Sequence, residues 1–307
     1  MAVTEVILHH FYASPFAEKV RLALGIKGLT WRSVEIPMVM PKPDLTALTG
    51  GYRKTPVMQI GADIYCDTQR IALELERRFP QPTLFPNGSQ GLCLALSCWS
   101  DQAFFRPGAA LSMGTNRELP EQVLSDRREF FTFLDFEKLE ADLPHFYGQF
   151  SAHLSLVDSM LADGRLFILG HECAWADILA YFPVWMARGN ISAAGELINR
   201  HKALVEWEKR VNTIGHGSPS EFDASSALEV ARESESVATP FIEQGAFPVL
   251  AAGTKVTVTP DDYGSIPVEG ALEVMTGQEV AIRREDDRAG EVVVHFPRVG
   301  YRVEIQE

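Results

Sequence analysis

The sequence predicts an α/β domain, then an all-helical region, and then a small antiparallel, barrel-like β extension. Three observations support this fold class. About the first 80 residues mix short apolar runs with one clear helical pattern. From Leu92 to Thr213 the apolar residues follow helical spacing, and five short alternating runs lie between Lys255 and Ile305. We expect domains at 1–82, 90–216 and 217–307.

The first domain is expected to run strand, helix, strand, proline-rich loop, hairpin, helix. Val6-Ile7-Leu8 is typical of a buried strand, and Ser14 followed by Pro15 is a favourable helix start, because proline lacks the N–H that would be unpaired there. Lys27-Gly28 is a typical helix end. The remaining elements are expected as a strand at 32–36, a hairpin at 57–60 and 64–66, and a helix opening at Asp67-Thr68.

The middle of the chain shows helical patterns, and the end shows alternating ones. The helices are expected at Leu92–Phe105, Glu121–Leu143, Phe146–Leu161, Ala176–Ala187 and Ala203–Thr213, with one more at Ser225–Gln244. The strands are expected at Lys255–Thr259, Ala271–Met275, Glu279–Arg283, Glu291–Phe296 and Tyr301–Ile305.

Composition narrows the class of protein. The 307 residues are 46% hydrophobic and 22% charged, which is ordinary for a globular protein of two or three domains. No apolar run approaches a membrane span, and the N-terminus lacks the basic region of a signal peptide. The four cysteines form no Cys-x-x-Cys pair and no metal-like spacing. We therefore expect a cytoplasmic protein without a metal site.

Charge is distributed unevenly along the chain. Residues 217–307 carry 7 basic and 17 acidic side chains, which accounts for most of the net charge of −13. An acidic segment repels phosphate backbones, so the sequence disfavours nucleic-acid binding.

The turn before the first helix can activate a thiol. A helix N-terminus carries unpaired N–H groups and partial positive charge, which lower the pKa of a thiol placed there. As N-cap, Ser14 accepts a backbone N–H, and its own hydroxyl proton can be donated to a bound thiolate. Taken alone, Ser14 could equally be only a helix cap.

The order of elements and three motifs resemble the glutathione S-transferase superfamily, in which a thioredoxin-like domain precedes a helical one. The first motif is Ser14-Pro15-Phe16-Ala17-Glu18-Lys19-Val20-Arg21. Ser14 stands where serine-type members activate the glutathione thiol, and where omega-like members carry a cysteine. The resemblance implies thiolate stabilisation by Ser14 rather than disulfide exchange.

The other two motifs imply a binding site for the rest of glutathione. Lys54-Thr55-Pro56-Val57-Met58 resembles the family's cis-proline turn, in which the residue before proline offers its backbone to the cysteinyl group. An ordinary trans proline at a strand start is the alternative. Tyr65-Cys66-Asp67-Thr68-Gln69-Arg70-Ile71 resembles the Glu-Ser turn that binds the γ-glutamyl group, with Asp67 and Thr68 in the two positions. Simple helix caps are again the alternative.

The resemblance also suggests roles in the helical half. The segment from Gly170 to Ala180 resembles the family's N-capping segment, with Ala174 replacing the usual hydroxyl cap, so Asp177 is interpreted as structural. The second-substrate pocket is expected between Ser14 and the helical domain. Its candidate lining residues, each of which could instead belong to the core, are Tyr12, Phe16, Trp99, Phe104, Phe105 and Arg106.

These patterns together predict a glutathione-dependent transferase that detoxifies a small hydrophobic electrophile and, by resemblance, forms a homodimer. A non-catalytic binding or scaffold protein that uses the β extension for interactions is the alternative. Glutathione-disulfide reduction would need Cys66, which we expect to point into the sheet. The extension lies outside the family pattern, and structural and interaction roles for it remain open.

Overall fold

The computed structural model describes residues 5–116, 119–246 and 248–306. The first four residues of the predicted first domain therefore lie outside the described part. Two compact units can be distinguished. One contains the chain up to Ala17, Thr30–Glu74 and the chain from Ser218 onward, and the other contains Glu18–Leu29 and Leu75–Gly217.

The N-terminal elements follow the predicted order. They are β1 (Ile7–His10), α1 (Pro15–Ile26), β2 (Thr30–Glu35), α2 (Pro43–Thr49), β3 (Val57–Ile60), β4 (Asp63–Cys66) and α3 (Thr68–Arg78). Helix α2 was not predicted, because the prolines of this segment suggested a loop. Pro43 is the first residue of that helix, a position where the missing N–H costs nothing, and Gly50 at φ 76° ends it.

The second unit is helical, as predicted. Besides most of α1 and the end of α3, it contains α4 (Gln90–Cys98), α5 (Phe105–Thr115), α6 (Glu121–Phe130), α7 (Leu139–Met160), α8 (Trp175–Asn190), α9 (Ala194–Ile198) and α10 (Lys202–Asn212), with a 3-10 turn at Pro86–Gly88 and a π-helical turn at Trp99–Phe104. Helix α8 is buried along most of its length, and α4, α5 and α10 pack against it.

The expected helix from Glu121 to Leu143 was wrong in extent. The chain leaves the helix after Phe130, and α7 begins only at Leu139. One local and one distant interaction account for the break. The side chain of Asp135 accepts the backbone N–H groups of Glu137 and Lys138, and Phe131 is buried against Phe105. Neither interaction is visible as a Gly or Pro signal in the sequence.

The C-terminal extension consists of β5 (Ser218–Glu221), α11 (Ala224–Arg232), β6 (Phe241–Ile242), β7 (Lys255–Pro260), β8 (Val268–Met275), β9 (Glu279–Asp286), β10 (Gly290–Pro297) and β11 (Tyr301–Ile305). The five predicted strands are confirmed. The helix expected to reach Gln244 ends at Arg232, since Ser236 and Val237 leave it to donate hydrogen bonds to Asp63. Strands β5 and β6 were not predicted.

Within the described residues the strands form one sheet in the order β11-β7-β8-β9-β10-β4-β3-β1-β2-β5, with β6 beside β8. The β-rich extension is thus confirmed, and its strands β7 to β11 pair antiparallel with one another. The extension does not stand apart, however, because β10 pairs parallel with β4 and β5 pairs parallel with β2. One buried apolar core runs under this sheet, from Ile7 and Val57 to Val294 and Phe296, and α11 packs on it beside α2.

None of the helices in the described part of the chain is long and apolar enough to cross a membrane.

Candidate functional site

Strand register brings the three predicted turns to one edge of the sheet. His9 of β1 lies opposite Val57 of β3, and Val57 lies opposite Cys66 of β4. Neighbouring strands are about 4.8 Å apart, so these three residues form one row across the sheet. The chain enters β3 just before this row and leaves β1 and β4 just after it. The segments around Ser14, Pro56 and Asp67 therefore emerge at the same edge.

Ser14 begins helix α1 as predicted. Its Oγ accepts the backbone N–H of Ala17 at 3.1 Å, and its own N–H donates to the carbonyl of Phe11 at 3.1 Å. The side chain is buried, with only 3% of the residue exposed. This is the geometry of an N-cap, so the Ser14 hydroxyl proton is left to other acceptors while its oxygen serves the helix.

The peptide bond between Thr55 and Pro56 is cis, as the resemblance implied. The turn is held from outside by Lys42, whose Nζ donates to Thr55 Oγ1 at 3.1 Å and to the carbonyl of Arg53 at 3.3 Å. The same ammonium lies 5.7 Å from the centre of the Phe11 ring. Lys42 therefore connects the Thr55-Pro56 turn to the Ser14 turn, a contact that sequence reasoning missed.

Asp67 occupies an unusual backbone position at the start of α3. Its φ of 74° lies in the left-handed region, which Asp tolerates better than most residues. Oδ1 accepts the backbone N–H of Gln69 at 2.9 Å, and the Asp67 carbonyl accepts the N–H of Ile71 at 3.0 Å. Thr68 follows as the first helical residue and is buried. A carboxylate and a helix N-terminus thus stand side by side.

A tyrosine from the C-terminal extension completes the Asp67 turn. The hydroxyl of Tyr301 donates to Asp67 Oδ2 at 3.0 Å across 234 positions of sequence, and it lies 3.1 Å from the hydroxyl of Tyr52. The rings of Tyr52 and Tyr301 both pack on Phe296. Sequence reasoning missed these tyrosines, and the only available signal was that Tyr301 begins a predicted strand.

A second contact joins the extension to the proline turn. Lys54 forms an ion pair with Asp262, and its ammonium lies 4.5 Å from the centre of the Tyr263 ring. Both partners belong to the segment that connects β7 to β8. The extension therefore contacts both the Thr55-Pro56 turn and the Asp67-Thr68 turn.

A buried network of charges lies under the first turn of α3. His295 of β10 is within 3.1 Å of Asp63 and 2.6 Å of Glu279, and Glu279 pairs with Arg70 at 3.4 Å. Arg70 also donates to Glu74 at 3.0 Å. These groups fix the helix that carries Thr68.

The network shifts the protonation of its members. Burial alone would lower the pKa of His295, but hydrogen bonds to Asp63 and Glu279 and their negative charges raise it. Burial opposes ionisation of both carboxyls, yet His295 lowers the pKa of Asp63, and His295 with Arg70 lowers that of Glu279. The two carboxylates accordingly favour the protonated form of His295.

Two further residues singled out by the sequence can be located. Cys66 is fully buried, and burial together with the charge of Asp67 raises the pKa of its thiol. A protonated, inaccessible thiol is a poor nucleophile, which weighs against disulfide chemistry. Asp177 accepts the N–H of Ala174 at 3.0 Å and the indole N–H of Trp207 at 2.7 Å, so its structural role is confirmed. Burial raises its pKa to about 6.

The residues expected to line the second-substrate pocket differ in exposure. In the first unit Tyr12 is 53% exposed and Phe16 is half-buried. In the second unit Phe104 and Phe105 are buried in the helical core, whereas Trp99 is half-buried and donates its indole N–H to His153 at 3.1 Å. The half-buried Arg106 places its guanidinium 5.0 Å from the centre of the Phe133 ring.

Within residues 5–116, 119–246 and 248–306, no group of three or more His, Cys, Asp or Glu side chains could hold a metal ion.

Comparison with known proteins gives a consistent result. Residues 8–83 match the family model for the N-terminal domain of glutathione S-transferase. Glutathione S-transferase U4 of Arabidopsis thaliana is 26% identical over 155 residues, covering 50% of this chain and 68% of that protein. Rice GST1, solved in complex with glutathione, is similar in fold alone, with 21% identity and a TM-score of 0.51 over 70% of this chain and 90% of that one.

A GST-like protein from Pseudomonas syringae matches the whole chain. The crystal structure of that protein superposes with a TM-score of 0.80 at 37% identity, covering 99% of this chain and 100% of the other. The match includes the C-terminal extension. Together with the match to the family model, it shows that the chain belongs to the glutathione S-transferase superfamily.

Proposed function

We propose that the protein is a glutathione-dependent transferase that stabilises the glutathione thiolate for attack on a small hydrophobic electrophile. Family membership supports a glutathione-related transferase function in general. The observation that carries the specific proposal is the shared edge of β1, β3 and β4, where two helix N-termini flank the turn at Pro56.

Each residue of this edge suits one part of the tripeptide. The Asp67 carboxylate can accept the γ-glutamyl ammonium, and Thr68 with the N-terminus of α3 can hold the neighbouring carboxylate. The backbone of Thr55 can pair with the cysteinyl group. Ser14, at the N-terminus of α1, then meets the sulfur.

Ser14 and α1 supply the chemical step. A free thiol of pKa about 8.5 is only about 3% ionised at pH 7, and lowering that pKa to about 7 makes about half of it thiolate. The Ser14 hydroxyl donates to the sulfur while the helix N-terminus adds positive potential. Conjugation, dehalogenation, ether cleavage and isomerisation share this step, so the proposal does not choose among them.

Ultraviolet titration of bound glutathione tests the proposal, because a thiolate absorbs at longer wavelength and more strongly than the protonated thiol. In the wild type we expect the bound thiol pKa near neutrality. Ser14→Ala should raise it by about one unit or more, since one donor to the charged form is lost. Ser14→Thr keeps the hydroxyl and serves as the matched control. An unshifted pKa in Ser14→Ala, or no binding of glutathione in calorimetry, contradicts the proposal.

The non-catalytic scaffold alternative is not favoured. Ser14, Pro56, Asp67 and Thr68 are all retained, and a protein that used this fold only for docking would not need them together. The roles of Tyr12, Phe16, Trp99, Phe104, Phe105 and Arg106 toward the electrophile remain predictions. The π-helical turn at Trp99–Phe104 supports such a role, because turns of this kind are frequent at functional sites.

We also propose a cytoplasmic homodimer. Four free cysteines suit a compartment that keeps thiols reduced. Leu92, Ala95 and Cys98 leave one apolar face of α4 exposed, which supports self-association. Light scattering of the wild type and of Leu92→Glu measures the oligomeric state directly, and a monomeric wild type contradicts the dimer.

A further inference from the structure

The hydrogen bonds of Tyr301 have a defined direction. Its hydroxyl donates to the Asp67 carboxylate, which can only accept, and the hydroxyl of Tyr52 is then the donor to Tyr301. Tyr301 is buried, and burial together with the charge of Asp67 raises the pKa of its phenol. The phenol therefore stays protonated and remains a donor. A chain of two hydrogen bonds ends on the carboxylate, and each bond polarises the next.

These bonds fix the orientation of the Asp67 carboxylate and leave some of its acceptor positions available. Oδ1 accepts from Gln69 and Oδ2 accepts from Tyr301, so each oxygen has one partner among the residues that the structure describes. A carboxylate has about four acceptor positions, which leaves about two for a ligand. Two donors on different oxygens also fix the plane of the group. The Asp67 side chain, which is shorter than the Glu of the family motif, is thus held in one orientation by the protein.

The pairing of the extension with β4 determines where Tyr301 lies. Tyr65 lies opposite His295 in the parallel pair of β4 and β10, so both strands end at the same edge of the sheet. The turn after β10 then places Tyr301 next to Asp67, the residue that follows β4. The ion pair of Lys54 with Asp262 and the ring of Tyr263 provide a second point of contact, at the neighbouring proline turn. The extension supports the edge at two of its three turns.

We propose that Tyr301, from the C-terminal extension, is a positioning residue of the glutathione site, which orients the Asp67 carboxylate toward the α-ammonium group of the γ-glutamyl moiety. This inference rests on the proposed function. It assigns the extension a role in ligand recognition, through one hydroxyl group that does not itself touch the ligand.

The test uses Tyr301→Phe in the full chain, which keeps the ring on Phe296 and removes only the hydroxyl. Binding is measured by calorimetry with glutathione and with glutaryl-cysteinylglycine, which lacks the α-ammonium. We expect the Kd for glutathione to rise about tenfold, the effect of one hydrogen bond to a charged group. The Kd for the analogue and the thiol pKa of bound glutathione should not change. A merely structural role would weaken both ligands together.

Two further variants complete the design. In an Asp67→Asn background, Tyr301→Phe should cause little additional loss, because the hydroxyl acts through that carboxylate. Tyr52→Phe should cause a smaller loss than Tyr301→Phe, since it lies one bond further away. Thermal unfolding of each variant verifies that it is folded.

The outcomes separate this inference from the proposed function. If the wild type binds glutathione and Tyr301→Phe binds it equally well, the positioning role is overturned and the proposed function stands. Equal weakening of glutathione and the analogue also overturns the positioning role. If the wild type does not bind glutathione, both fail.

Discussion

The Ser14 end and the Asp67 end of the candidate site are built in different ways. Ser14 is held by groups within three residues along the chain, the carbonyl of Phe11 and the N–H of Ala17. Among the described residues, the Asp67 carboxylate accepts from one local partner, the N–H of Gln69, and from one partner 234 residues away, the hydroxyl of Tyr301. The charge network of α3 also includes a residue of the extension, His295, which lies 232 positions from its partner Asp63.

Under the proposed function, this difference separates the residue that activates the thiol from the residues that bind the γ-glutamyl group. The Ser14 end, to which we assign activation of the thiol, is built from a helix and a cap whose hydrogen-bond partners lie close together in sequence. The Asp67 end, to which we assign the γ-glutamyl group, follows strand β4, and the extension pairs with that strand through β10. Changes in the extension should therefore alter affinity and stability, and should leave activation of the thiol intact.

The largest effect is expected from His295→Gln, which removes the cation between Asp63 and Glu279. At pH 6 we expect the free energy of unfolding to fall by about 3 kcal/mol, the cost of removing one member of a buried ion pair. Because the folded pKa of His295 is raised, its contribution is fully present below the unfolded value of about 6.5 and is lost as pH rises through the folded value. Urea unfolding at pH 6 and pH 9 measures the difference.

The difference between wild type and His295→Gln should thus shrink at pH 9. The contributions of Asp63 and Glu279 to stability depend on pH in the opposite direction. Because their pKa values are lowered in the folded protein, these carboxylates stabilise the fold above about pH 4, and that stabilisation is lost in acid. An equal difference at both pH values would mean that His295 is neutral in the folded protein. The thiol pKa of bound glutathione should be the same in the variant.

A smaller effect is expected from Asp67→Asn. Asparagine tolerates the positive φ of this position, so the fold should be retained while the charge is lost. We expect the Kd for glutathione to rise about 30-fold, equivalent to about 2 kcal/mol for a charge-assisted hydrogen bond. Calorimetry measures it, and Ser14→Ala is the matched comparison, with a shifted thiol pKa but little change in affinity. If Asp67→Asn leaves the Kd unchanged, the assignment of the two ends is wrong.

The smallest effect is expected in the stability of Ser14→Ala. Loss of the cap to the Ala17 N–H should lower the free energy of unfolding by about 1 kcal/mol. Ser14→Thr retains a capping oxygen and should lie close to wild type in the same urea titration. A loss well above this figure in Ser14→Ala would show that Ser14 has partners beyond its own helix.

The sequence predicted those parts of the fold that local rules determine. The start of α1, the β3–β4 hairpin and strands β7 to β11 follow from caps, turns and alternation. Where distant contacts compete, prediction failed. Helix α11 ends early because Ser236 and Val237 bond to Asp63, and α6 ends where Phe131 packs against Phe105. Pairing of β10 with β4 has no local signature, because both strands are apolar runs that could pair in several ways.

The same contrast between local rules and distant contacts applies to the candidate site. Ser14, Thr55, Pro56, Asp67 and Thr68 could be named from the sequence because each lies in a turn with a recognisable motif. Lys42 and Tyr301 could not, because their roles arise from contacts across 13 and 234 positions. Nothing in the spacing of residues indicates which tyrosine of a strand will face a particular carboxylate.

The pairing of β10 with β4 also affects solubility. Without β10, strand β4 would present unpaired N–H and C=O groups along an open edge, and such edges recruit further strands from other molecules. The buried side chains that β10 contributes to the common core would be lost at the same time. A chain shortened before β7 would therefore be prone to aggregation, so the extension also protects the sheet against edge-to-edge association.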